Sequence, residues 1–349
     1  SLVGSEMCIR DRNIPTWTRD TETMKRDIEK YGYCLFKEAL TPEQLAEAQE
    51  RLSKQAEAER KAGFSYLHQG KGVPEPEIIG PERKLGNSQS VSFLANKGRI
   101  FREIAIKPEV LEIVRHVLGK EIRIQNLLAN IIRKGGQAQT LHQDQWFLPS
   151  ARSYEDPPMK AGSITRANPG QPETPGKTIM PCVLVNAFWM LDDFTIENGA
   201  TCIVPGSHKI GRRPNKDDRK NQIQVTGPAG SLFIFDGRLF HGAGENFSDD
   251  PAVERKALTF AYIPPMIKPH ENYTLALLPE VYDEAPQELL DLMGFKIWFN
   301  NGHMGDHTAK RFSRETPIVG ELDPSTVQDV AEPVFQIHAG RGQNIMAVD

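Results

Sequence analysis

The chain has 349 residues, enough for one large domain or two small ones. Apolar residues make up 39% and charged residues 25%, with 28 Gly and 25 Pro, which excludes a collagen, a coiled coil and a wholly disordered chain. The net charge of −4 gives no basic excess for a nucleic acid or an anionic membrane surface, and no apolar run reaches the ~18 residues of a membrane span.

Cys8, Cys34, Cys182 and Cys202 are scattered and form no CxxC pair. This usage suits a reducing, cytoplasmic setting better than a disulfide framework or a zinc-thiolate site. The first twelve residues have no amphipathic period and lack the basic start and apolar core of a signal peptide. They look like a translated sequencing adapter and are set aside, with Cys8 among them.

In chain order, residues 21–31 read as a short helix that Gly32 ends, and Tyr33–Phe36 reads as a strand. Thr41-Pro42-Glu43-Gln44 is a strong helix start: Thr as N-cap, Pro at the first helical position and Gln three residues after the cap. That helix is expected to run to about Ala62. Pro108 to Gly119 is a third helix, opened by Pro and closed by Gly. The character then changes to short strand-like runs at Glu121–Ile132, Thr178–Leu191, Ala200–Val204, Gln222–Val225, Ser231–Phe235 and Arg255–Ile263, punctuated by Gly, Pro, Asn and Asp. Helices first and then about eight short strands imply an α+β fold. Its expected core is a double-stranded β-helix (a cupin-like jelly roll) with flanking N-terminal helices. Residues 13–315 read as one domain and 316–349 as a weakly patterned tail. Residues 284–294 read as a late helix. The Pro-rich stretch 150–176 is either a lid or a disordered insert.

One constellation carries chemistry. On a strand, residues i and i+2 share a face, so His142 and Asp144 would aim an imidazole and a carboxylate at one point. A pair this short also arises by chance and needs a third partner. His241 lies 97 residues after Asp144, behind the buried-looking run Ser231–Phe235 and before Gly242. Two imidazoles and one carboxylate on one face of a metal leave three positions open, the ligand set of non-haem Fe(II) oxygenases. Arg255 follows His241 by 14 residues, and a guanidinium can grip a carboxylate with two bonds.

At these residues the chain resembles the phytanoyl-CoA dioxygenase family of Fe(II)/2-oxoglutarate oxygenases, from about residue 22 to about 295. The most specific block is Trp189 to His208, WMLDDFTIENGATCIVPGSH, which is similar to the family's W-x-L-D-D-x-T-x-E-N-G-A-T-x-x-x-P-G-S-H segment. LHQD around His142 and HGAGEN from His241 are further family-like blocks. The resemblance implies that His142, Asp144 and His241 ligate Fe(II), that Arg255 pairs with the far carboxylate of the 2-oxoglutarate cosubstrate, and that O2 is consumed. It implies hydroxylation of an unactivated C–H of a small organic substrate, with release of succinate and CO2. His208 would be structural. Many family members carry Ser two residues after the distal His, where this chain has Ala243. Gln139, Thr140 or Asn130 is therefore expected to assist Arg255. In the halogenase branch a small residue replaces the carboxylate, so Asp144 favours oxygenation here.

Two rivals stay open at this point: a jelly-roll metalloprotein with other metal chemistry, and a non-catalytic binding protein of the same fold. Trp146 and Phe147 are candidate pocket walls, or ordinary core aromatics. His303 and His307 have helical spacing, but Gly305 between them favours a loop. No nucleic-acid or membrane partner is expected, and neither the substrate nor the oligomeric state is legible.

Overall fold

The computed structural model describes residues 14–68, 88–145, 181–299, 301–302 and 310–311. The N-terminal dozen, Trp146, Phe147, the 150–176 stretch, His303, His307 and the tail lie outside the described residues.

The N-terminal helices form where local signals demand them. Helix α1 (Thr21–Tyr31) is capped by Asp20, whose carboxylate accepts from Thr23 N–H. It ends at Gly32, which sits at φ 83° and returns its N–H to the Ile28 carbonyl. Helix α2 (Pro42–Lys61) carries a capping box: Gln44 N–H donates to the Thr41 hydroxyl at 3.2 Å, and Thr41 N–H donates to the Gln44 side chain at 3.3 Å. A short helix, α3 (Arg99–Ala105), has no side-chain cap. Helix α4 (Pro108–Leu118) buries Val110, Leu111, Ile113 and Val114.

Among the described residues there are ten strands: β1 (Tyr33–Phe36), β2 (Tyr66–His68), β3 (Ser88–Val91), β4 (Arg123–Ile132), β5 (Val185–Met190), β6 (Cys202–Ile203), β7 (Ile223–Gln224), β8 (Leu232–Asp236), β9 (His241–Gly242) and β10 (Arg255–Ile263). They make two antiparallel sheets. One has seven strands in the order β1-β8-β5-β10-β4-β3-β2, and the other has three in the order β7-β6-β9.

Period-two alternation gives the large sheet two different faces. Leu232 and Ile234 of β8, Ala187 and Trp189 of β5, and Leu258 and Phe260 of β10 pack into one apolar cluster with the helices. Phe233 and Phe235, Met190 and Ala257 turn the other way and join Ile203 of the small sheet, and Val225 just beyond β7, in a second cluster. The chemistry lies on this second face. No helix among the described residues is long and apolar enough to cross a membrane.

The late helix expected over 284–294 starts further along. Pro286 holds the preceding Ala285 extended, at ψ 135°, so Glu284 closes α6 (Pro279–Glu284), after the short α5 (Tyr273–Ala276), and α7 (Gln287–Leu290) begins beyond it and runs on into a π-helical turn over Asp291–Phe295.

Gly32 links a helix to a strand and also makes room. A Cβ built there would lie 2.5 Å from His208 Nδ1, on a backbone at φ 83°. His208 is buried and its pKa is pushed down to about 4, chiefly by that burial. Gly32→Ala is expected to lower the unfolding free energy by at least about 1–2 kcal/mol from the left-handed backbone alone, read as a lower urea midpoint with an unchanged slope.

Candidate metal and cosubstrate site

The pair His142 and Asp144 sits just outside regular strand. Residues 141–145 form a segment whose single bridge is His142 to His241: His142 N–H donates to the His241 carbonyl at 2.8 Å and His241 N–H returns the bond at 3.0 Å. The same segment is stapled further along. The Gln143 amide donates to the Arg238 carbonyl at 2.7 Å, and Gln145 N–H donates to Gly237 at 2.9 Å. The expected sharing of a face survives because this antiparallel bridge imposes locally extended backbone.

One donor atom from each of His142, Asp144 and His241 lies within 4.8 Å of the other two. His142 Nδ1 is 3.0 Å from the Thr140 carbonyl, and His241 Nδ1 is 2.9 Å from the Leu239 carbonyl. A carbonyl only accepts, so each ring carries its proton on Nδ1 and presents an Nε2 lone pair. Those lone pairs face the Asp144 carboxylate, at 3.5 Å from His142 and 3.3 Å from His241. Three lone pairs converging on one point repel unless a cation lies between them, and donors at metal–ligand distances of about 2.1 Å on adjacent corners are about 3 Å apart. The donor set therefore fits a divalent metal with open positions.

Burial opposes charge on Asp144, but His241 and then His142 and the Asn186 amide outweigh it and hold the carboxyl down at about 2. Burial also opposes charge on His241, and Asp144 outweighs it, so that pKa is raised. His142 is lowered, first by burial and then by His241.

Asn186 was not singled out in the sequence. It donates from Nδ2 to Asp144 Oδ2 at 2.9 Å and fixes the plane of that carboxylate. Its signal was an amide inside the apolar run Val185–Met190. Asn186→Ala is expected to weaken Fe(II) binding by about 10-fold, in the range for outer-shell ligand partners, with the melting temperature changed little. Isothermal titration with Fe(II) under nitrogen would measure it.

Arg255 opens β10 and is 3% exposed. Its Nη1 donates to the Thr201 hydroxyl at 3.2 Å, and its guanidinium stacks 4.6 Å from the Phe194 ring centroid. Its Nε is buried with no hydrogen-bond partner, and no carboxylate among the described residues lies within ion-pair distance. Burial lowers its pKa to about 10, which leaves it charged at neutral pH. An unpaired buried cation of this kind calls for an anionic ligand.

Arg255 and the three donors line one cavity of about 220 Å³, together with Gln139, Thr201 and Asn130. Gln139 Oε1 accepts from Ala243 N–H at 3.0 Å, which holds the side chain at the cavity wall. Thr140 is exposed and contributes its carbonyl to His142. Asn130 accepts from the Ser90 hydroxyl at 2.6 Å. Thr201 and Phe194, both within the family-like block, are the Arg255 partners that reading by spacing alone did not single out.

The family described as Phytanoyl-CoA dioxygenase (PhyH) matches residues 28–257. The chain belongs to this family. It is 26% identical over 281 residues to Dioxygenase af480 of Aspergillus fumigatus, covering 79% of this chain and 77% of that one. It is 26% identical over 273 residues to Dioxygenase hkm4 of Aspergillus hancockii, covering 77% and 80%. A solved structure of HygX from Streptomyces hygroscopicus, with nickel, 2-oxoglutarate and hygromycin B bound, shares 15% identity at a TM-score of 0.48, covering 70% of this chain and 88% of HygX.

Proposed function

We propose that the chain is a non-haem Fe(II)- and 2-oxoglutarate-dependent dioxygenase that hydroxylates an unactivated C–H of a small organic substrate. We read residues 13–315 as one oxygenase domain, and the two facing antiparallel sheets as its double-stranded β-helix, or jelly-roll, core. The observation that carries the reading is the pairing, in one cavity, of a two-histidine, one-carboxylate cluster with the unpartnered buried cation of Arg255.

In this reading His142, Asp144 and His241 hold Fe(II). Arg255 holds the far carboxylate of 2-oxoglutarate, with Thr201 orienting the guanidinium. Gln139 stands beside Ala243, where a serine hydroxyl is common in the family, and supplies the polar contact. Bound iron with 2-oxoglutarate and O2 supplies an oxidant able to take hydrogen from carbon, releasing succinate and CO2. The chain's own share is positioning. The carbonyls of Thr140 and Leu239 fix the imidazoles, Asn186 fixes the carboxylate, and Phe188 and Phe235 pack against His241 with ring centroids at 6.5 and 4.7 Å. Asp144 fills the position that a halide would need, which supports oxygenation over halogenation.

Anaerobic titration of the metal-free protein with Fe(II) and then 2-oxoglutarate tests the reading. A visible charge-transfer band is expected in the wild type and is weakened in Asp144→Ala and Arg255→Ala. Folded, iron-loaded protein that gives no band would turn the assignment toward other metal chemistry or a non-catalytic role.

A further inference from the structure

Asp144 hangs on a short length of chain with an anchor at each end. On one side is the backbone bridge between His142 and His241, and on the other is Gln145. Gln145 is buried, 4% exposed, and its main chain and side chain make separate connections to the segment that leads into β5.

The main-chain connection runs through Gly237. Gln145 N–H donates to the Gly237 carbonyl at 2.9 Å, and Gly237 N–H donates to the Leu184 carbonyl at 2.7 Å. A Cβ built at Gly237 would lie 2.9 Å from that Leu184 oxygen, so a residue without a side chain is what lets the two chains approach.

The side-chain connection is a clamp. Gln145 Nε2 donates to the Pro181 carbonyl at 2.8 Å, and Gln145 Oε1 accepts from Val183 N–H at 2.7 Å. These two groups flank Cys182, so the amide makes the pair of bonds that one residue of a neighbouring parallel strand would make. Pro181 lies 36 positions after Gln145, and nothing local in the chain keeps the two together. An apolar side chain of this length would fill the space with no polar group to desolvate, so the amide is distinguished by its bonds.

The clamp closes a ring around the carboxylate. From Asp144 the chain steps to Gln145, crosses to Val183, follows the backbone to Asn186 and returns through the Asn186 Nδ2 bond to Asp144 Oδ2 at 2.9 Å. Asn186 fixes that oxygen only while its strand is fastened beside Asp144.

We propose that Gln145 is a positioning residue for the metal carboxylate: it locks the approach to β5 against the ligand segment and so sets where Asn186 holds Asp144. This rests on the metal site of the oxygenase reading above.

Gln145→Met keeps the length of the side chain and removes both bonds. Isothermal titration with Fe(II) under nitrogen, at a temperature where circular dichroism shows the variant folded, is expected to give an affinity about 3- to 10-fold below wild type, no larger than the loss from Asn186→Ala. The same substitution in an Asp144→Ala background is expected to change iron affinity by less than about twofold, because the group it positions is gone. The visible bands of the Co(II)-loaded protein are expected to shift in Gln145→Met, reporting a displaced ligand. Iron affinity equal to wild type would overturn the proposal. So would a loss of the same size in both backgrounds, which would place the effect on the histidines or the fold. A lower melting temperature with unchanged Co(II) bands would make Gln145 structural and overturn it equally. If Gln145→Met does not fold, Gln145→Asn carries the same cycle: it stays polar and is one methylene too short to reach both partners. Failure of the oxygenase reading would show separately, as iron-loaded wild type that gives no charge-transfer band with 2-oxoglutarate, and it would leave these metal affinities readable.

Discussion

Replacing Arg255 with methionine is expected to weaken 2-oxoglutarate binding by about 2–5 kcal/mol, roughly 30- to 5000-fold, and at the same time to raise the stability of the metal-free protein. The two effects share one cause. In the free protein the guanidinium is 3% exposed, its Nε has no acceptor, and its partners are one hydroxyl and one aromatic face. A buried charge so poorly compensated costs stability, and an apolar side chain of similar length removes that cost, by about 1–3 kcal/mol. When a dianion is present, the same buried guanidinium meets a carboxylate, and the charge-assisted pair is strong. Stability is thus given up in the free state for affinity in the bound state. Arg255→Lys keeps the charge and loses the fork, so intermediate affinity is expected. Thermal melts of the metal-free variants and anaerobic 2-oxoglutarate titrations of the iron-loaded ones measure both halves. Affinity within twofold of wild type in Arg255→Met would remove Arg255 from the cosubstrate site. A lower melting temperature would mean that Arg255 is a structural cation.

Elements written by local chemistry were legible in the sequence. Helix α2 follows from Thr41, Pro42 and Gln44, whose mutual bonds are made within four residues. Strand β10 follows from its short, β-favouring apolar run over Arg255–Ile263, buried on both faces. Strand β3 was not legible, because Ser88 and Gln89 are polar yet buried beside β4, and no apolar period marks them. Helix α3 was missed because it is seven residues long and Gly98 offers no side-chain cap. The late helix was placed three residues too early because apolar spacing ran through Pro286, whose effect on Ala285 delays its start to Gln287. In the site, His142, Asp144, His241 and Arg255 stood out by residue type and interval. Asn186 and Thr201 did not, since each acquires meaning only from a partner far along the chain, Asp144 and Arg255 respectively.

Removing Asp144 tests the other half of the site. Asp144→Ala is expected to lower Fe(II) affinity by at least about 100-fold, at or above the largest effect of losing an outer-shell partner, and to abolish 2-oxoglutarate-dependent succinate release. The two imidazoles stay in place, because Thr140 and Leu239 hold their Nδ1 protons and the His142–His241 bridge is made by backbone. The variant is therefore expected to fold, so loss of metal would be a local result. The decisive comparison is the cycle with Asn186. In the wild-type background Asn186→Ala acts by freeing the Asp144 carboxylate, through the 2.9 Å bond to Oδ2. In an Asp144→Ala background that carboxylate is gone, so Asn186→Ala should change Fe(II) affinity no further, and the two losses should fall short of adding. Additive losses would mean that Asn186 serves the site by another route. Iron affinity in Asp144→Ala within about threefold of wild type would remove the carboxylate from the ligand set, since no other described Asp or Glu lines the cavity to replace it.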